Sequence, residues 1–270
     1  MAELASLASL LRITVPAIYG LAAACYAAEF ARIRDTHFRM TIPALAAGIA
    51  LHVLLVVALA LELHRLPCDT VFHGLLFGAL VVSLFYLGME RFLGEIRYGA
   101  IIVPANCIVT AIAAAYLEGG VPLPARLHSL YFVIHALLLF LAYACFFLSF
   151  GIACLYLVQH RQITRRRLGG LFRRLPALAD MDESIMRADA LGLGLLLVGI
   201  AAGFLWMEVI LGEPTRLTLK IALTCITATV YLCEHILRVG KGWNGRRACW
   251  ISIVGFLFVF ITLAAGRHGY

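Results

Sequence analysis

Apolar runs of bilayer length recur along the whole chain. One of them, ALAAGIALHVLLVVALAL (44–61), carries no Asp, Glu, Lys or Arg. A run of about 20 apolar residues crosses the hydrocarbon as a helix, because a helix satisfies its backbone groups internally. About eight such runs are legible, near 13–30, 42–63, 71–89, 98–116, 129–158, 191–211, 217–237 and 249–266. They predict an all-α integral membrane protein, a bundle of about eight transmembrane helices forming a single domain over 1–270. Composition agrees: 63% of residues are hydrophobic and 14% charged, against about 25% charged in soluble domains. The fifth run is longer than a crossing needs, so it tilts or projects from the membrane.

Most of the 22 Lys and Arg residues fall in the odd-numbered loops. The third of these holds Arg161, Arg165, Arg166, Arg167, Arg173, Arg174 and Arg187, and the fourth Arg238, Lys241, Arg246 and Arg247. By the positive-inside rule these loops face the cytoplasm. The expectation is a multi-pass protein of the cell inner (cytoplasmic) membrane with both termini outside. The N-terminus has no basic n-region and no A-x-A exit, so the first span is expected to be retained. The segment 159–190 reads as a cytoplasmic loop, basic then acidic, beside anionic lipid or a soluble partner.

The net charge of +7 sits in loops and does not point to nucleic acid. The eight cysteines form no CxxC pair and read as packing residues. There is no CxxCH for covalent haem attachment. No P-loop, GxSxG or HExxH occurs, and no paired carboxylates or nucleophile–base set stands out. Enzyme activity is therefore not expected. Glu208 reads as a lone buried acid in the sixth span.

A polar residue inside a span is costly and marks function by default. Of nine histidines, His37 and His160 fall in or beside cytoplasmic loops, and His64, His73 and His128 at outer span ends. Four remain. His52 sits mid-span, His235 in the inner part of the seventh span, His135 in the outer part of the fifth, and His268 just beyond the last. Depth sorts them into an inner pair, His52 and His235, and an outer pair, His135 and His268. Each alone reads as a helix-packing residue or as a ligand. Paired neutral imidazoles can hold a haem iron from both faces, and an apolar bundle can bury the macrocycle. Zinc would ask for a third or fourth ligand that neither pair has nearby. Glu234 adjoins His235, but adjacent helical residues point about 100° apart, so it is not an obvious co-ligand. After His235 comes the turn GKGWNGRRACW. Its glycines permit a tight turn, Arg246 and Arg247 hold it on the cytoplasmic side, and Trp243 and Trp250 anchor at the interface.

Four stretches together resemble the HemX/CcsA cytochrome c assembly family. They are GIALHVLLVVALALELHRLPCDTVFHGLL, IHALLLFLAYACFFLSFGIACLYLVQHRQ, EHILRVGKGWNGRRACWISIVGF and AAGRHGY. The GW-x-GRR turn with its upstream histidine is the most specific of them. The resemblance implies that His52 and His235 are axial ligands to haem iron within the membrane, and His135 and His268 ligands outside it. It implies haem b as cofactor. It also implies membrane lipid, haem and other cytochrome c maturation components as partners. The family's assembly members carry a tryptophan-rich external motif, roughly WGxxWxWDxxE. Here the corresponding region reads GFLWMEVILGEPTRLTLKIALT, with Trp206 alone. The expected function is haem handling in cytochrome c assembly, by ligand exchange rather than bond-making. The alternative is a non-catalytic regulator or scaffold of haem biosynthesis or cytochrome maturation that binds little haem and acts through 159–190.

Overall fold

The computed structural model describes residues 2–31, 40–63, 67, 70–93, 98–116, 130–166, 169, 175–210, 212 and 218–264. Among them the chain is helical throughout, with no strand. The helices are α1 (Ala2–Ala31), α2 (Thr41–Leu63), α3 (Val71–Leu93), α4 (Gly99–Ala115), α5 (Leu130–Thr164), α6 (Leu178–Leu205), α7 (Leu219–Lys241) and α8 (Arg246–Ala264). Helix α6 runs on into a π-helical segment, Trp206–Ile210. Six helices are long and apolar enough to cross a membrane, and α3 and α4 carry shorter apolar stretches, Phe72–Gly88 and Gly99–Ala115. The all-α membrane bundle expected from the hydropathy pattern is what the chain forms.

Two helix starts differ from expectation. Helix α1 starts at Ala2, well before residue 13. Helix α6 starts at Leu178 rather than near 191, so the acidic half of the expected 159–190 loop is helical. The reason lies in its spacing. Met181, Ile185, Ala188, Asp189 and Gly192 are buried on one face, the i, i+4, i+7 pattern of a helix stripe. Asp180 in the first turn suits the helix dipole, and Glu183 pairs with Arg187 one turn on. Helix α5, at 35 residues, is about 52 Å long at 1.5 Å per residue, which bears out a span longer than the bilayer requires.

The chain divides into two compact units, residues 1–133 and 134–270. In the first, α1 packs on α2 and α4, and α3 on α4 and α2. Buried Asn106 of α4 joins α3, donating to Ala79 O (3.0 Å) and Ser83 Oγ (2.6 Å). Tyr26 of α1 donates to Glu90 of α3. In hydrocarbon, where helices gain nothing from apolar burial against one another, such cross-helix hydrogen bonds add specificity to close packing. In the second unit Ala142, Phe146, Leu193, Leu196, Ala228, Tyr231 and Val259 form a core drawn from α5 to α8. Phe146 and Tyr231 stack at 3.7 Å between centroids.

Candidate functional site

His52 is fully buried in the first unit. Its Nδ1 lies 3.2 Å from the hydroxyl of Tyr19 on α1, and the two rings meet edge-on. Its Nε2 has no well-formed hydrogen bond, although the Leu76 carbonyl of α3 lies beside the ring. A buried imidazole nitrogen without a partner costs desolvation energy. It is also the atom a metal would take. A ligand there must displace the neighbouring α3 backbone or side chains.

His135 is half-buried on α5, and its Nδ1 is 2.7 Å from Gly199 O of α6. A carbonyl accepts only, so Nδ1 carries the hydrogen and Nε2 holds the lone pair. Metal-binding histidines are commonly fixed in this way through the other ring nitrogen. Gly203, one turn beyond Gly199, makes the seat: a Cβ there would come within 2.7 Å of the imidazole Cε1. Trp206 covers the ring, nearly parallel, with centroids 6.5 Å apart. The indole thus supports the histidine from the π-helical turn. Such π-bulges recur at functional sites. Hydropathy could not reveal this pocket, but the Gly199–Gly203–Trp206 spacing on one helix face was a usable signal. Glu208, expected to be buried, is exposed in the same segment.

His235 is exposed on α7. Its neighbour Glu234 takes the inward direction and is buried together with Arg238, one turn later. Arg238 Nε bonds Glu234 Oε1 at 2.8 Å, and its Nη1 bonds Asp182 Oδ1 of α6 at 2.9 Å. Asp182 Oδ1 also accepts from Gly245 N at 3.0 Å, which ties the GWNGRR turn to the network. The Ser252 hydroxyl of α8 lies 2.7 Å from Asp189 Oδ2 and 3.2 Å from Glu234 Oε1. The absence of paired carboxylates read from the sequence is therefore corrected: Asp189 and Glu234, 45 positions apart in a linear reading, converge on one serine. Buried charges inside a membrane bundle persist where they are paired, and here Arg238 pairs with both Glu234 and Asp182.

The turn closes α7 with Gly242 in the left-handed region (φ 62°), its N–H bonded to Arg238 O, and Trp243 N–H bonded to Leu237 O. The Gly242 N–H on the Arg238 carbonyl is the αL form of helix C-cap, and it needs a residue that tolerates positive φ. His52 and His235 lie in different units. His268 lies outside the described residues, as do His37, His64 and His128. Among the described residues no group of three or more His, Cys, Asp or Glu side chains is placed to hold a metal ion. The three histidines thus stand as single imidazoles. The donor set fits an iron that brings its own equatorial ligands, as haem iron does, better than a bare ion.

The family model described as "Cytochrome C assembly protein" matches residues 44–265, a stretch that includes His52, His135 and His235. The chain belongs to the cytochrome c assembly protein family. Curated relatives agree with this. A protein of Mesostigma viride named "Cytochrome c biogenesis protein CcsA" is 25% identical over 237 residues, covering 77% of this chain and 78% of that one. A protein of the same name from Chlamydomonas reinhardtii is 24% identical over 249 residues, 86% of this chain and 69% of its own length. "Protein HemX" of Brevibacillus brevis is 34% identical over 97 residues, 36% of each chain. The chain is a multi-pass membrane protein with a role in cytochrome c biogenesis, and members of this family are assembly factors.

Proposed function

We propose that this protein is a haem-handling assembly factor rather than an enzyme. In this reading His52 and His235 are axial ligands to haem iron within the membrane, and His135 and His268 serve haem at the outer face. The observation that carries the reading is shared by two buried or half-buried imidazoles. His52 and His135 are each engaged through Nδ1, and the Nε2 of His52 makes no well-formed hydrogen bond among the described residues. Haem b would supply the iron and its redox chemistry. The chain's own residues orient the ligands: the Tyr19 hydroxyl holds the His52 ring, the Gly199 carbonyl fixes the His135 tautomer, and Trp206 supports that ring. The whole of 1–270 acts as one transmembrane domain in the cell inner membrane, with both termini outside and the GWNGRR turn in the cytoplasm. Its partners are membrane lipid, haem and other cytochrome c maturation components.

The test is the absorption spectrum of detergent-purified protein, oxidised and then dithionite-reduced, beside the His52→Ala/His235→Ala variant. The expected result is a sharp low-spin bis-imidazole spectrum that the variant loses while keeping its helical content. A wild-type protein that neither carries nor takes up haem would overturn the reading. It would favour a scaffold that works through the charged helical start of α6, where Asp180, Glu183 and Arg187 are exposed.

A further inference from the structure

The GWNGRR turn is more tightly built than an interfacial anchor requires. Behind it, buried Arg238 links Glu234 to Asp182, and Asp182 holds the Gly245 amide. Gly245 is left-handed (φ 65°), and a Cβ there would come within 2.6 Å of the Tyr156 hydroxyl of α5. In front of it lies an open cavity of about 510 Å³ lined by Gly242, Trp243, Asn244, Arg246, Arg247 and Trp250. Arg246 and Arg247 are both exposed. Neither is ion-paired among the described residues; the Arg247 guanidinium lies 5.4 Å from the centre of the Trp243 ring. Arg246 and Trp250 stand one helical turn apart on α8, the spacing that brings side chains together. The free amides of the first turn of α8 add positive potential at the same place. The cavity therefore combines two adjacent guanidinium forks, which match carboxylate geometry, with two indole surfaces that suit a flat apolar body.

We propose that this cavity binds the carboxylates of a tetrapyrrole, with Arg246 and Arg247 on its two propionates and Trp243 and Trp250 against the ring. The proposal rests on the haem-handling reading and adds to it an intake site that uses no histidine. A phospholipid phosphate offers related anionic chemistry. Two features favour the tetrapyrrole: the volume in front of the arginines exceeds what a phosphate fills, and a lipid anchor gains little from a turn fixed by buried charges. Rigid placement of the donors is what lowers the entropic cost of binding one defined ligand.

The test uses iron-free protoporphyrin IX, which no axial histidine can ligate, and its dimethyl ester, which keeps the ring and loses both charges. Binding to the full-length protein in uncharged detergent is read as quenching of tryptophan fluorescence. The free acid should bind about tenfold or more tighter than the ester, since each charge-assisted contact contributes on that scale. The preference should vanish in Arg246→Gln/Arg247→Gln, whose exposed positions leave folding intact, while the haem spectrum described above still reports on the histidines. Equal binding of acid and ester overturns the proposal, as does a preference that survives the double substitution. Displacement of both forms alike by phosphatidylglycerol also overturns it and makes the turn a lipid site. Failure of the haem reading is seen separately, as a missing bis-imidazole spectrum in a protein that still distinguishes acid from ester.

Discussion

The two units place polar chemistry in the membrane by opposite means. The first uses neutral hydrogen bonds around a tyrosine-rich interior: Tyr19 on His52, Asn106 on Ser83 and the Ala79 carbonyl, with Tyr26 donating to the buried acid Glu90. The second concentrates ionisable groups, with Asp182, Asp189, Glu234 and Arg238 in one connected group. A neutral hydrogen bond contributes about 0.5–1.5 kcal/mol and fails gently. A buried ion pair contributes little net stability, yet breaking it leaves a charge in low dielectric. The first unit should therefore tolerate polar loss, and the second should not.

The sharpest way to break that contrast is Arg238→Leu. It strands Glu234, whose side chain is 1% exposed, and Asp182 at 19%. Removing one partner of a buried pair costs about 3–5 kcal/mol. The expected outcome is a large drop in thermal stability in detergent, together with release of the Gly245 turn from Asp182. Arg187→Leu is the control. Its pair with Glu183 is more than half exposed, where such pairs contribute about 0–1 kcal/mol. Equal melting of the two variants would mean that the buried group is not ionised as a set, and the contrast between units would fall.

Next in size is Gly203→Val in the second unit. The added Cβ meets the His135 ring within 2.8 Å at Nδ1 as well as at Cε1. Overpacking of this kind costs about 1–3 kcal/mol. In the double variant Gly203→Val/His135→Ala the ring is gone and most of that loss should return. Thermal melts of the four proteins form a cycle that isolates the contact. Additive effects would show that Gly203 is not the seat of His135.

The span pattern was legible because hydrocarbon thickness dictates run length, and the histidines were legible because polar residues inside such runs are rare. The direction each one faces was not. In a soluble helix the apolar stripe marks the buried side, but in a membrane helix lipid-facing and core-facing sides are both apolar. Hydropathy therefore could not tell that Glu234 turns inward while His235 turns outward. Nor could it tell that Tyr19, 33 positions before His52, is its partner. Asp182 and Asp189 were hidden for a different reason. They sit in a charged stretch that composition assigns to a loop, and only the burial of Met181, Ile185 and Ala188 on the same face makes it the start of α6.

The smallest expected effect on stability distinguishes most clearly between two uses of His52. Tyr19→Phe keeps the ring and removes the hydroxyl 3.2 Å from Nδ1. If His52 only packs helices, the loss is one neutral hydrogen bond, about 0.5–1.5 kcal/mol, and nothing else changes. If its Nε2 ligates haem iron, Tyr19 orients a ligand, and losing such a partner weakens metal affinity by about 10–100-fold. The two readings thus predict the same modest shift in melting and opposite results for haem retention during purification. Haem lost from Tyr19→Phe, with the fold and the Gly203–His135 contact unchanged, would assign the neutral interior of the first unit to ligand positioning. Full retention would return Tyr19 to packing and leave His235, on the charged unit, as the histidine to pursue.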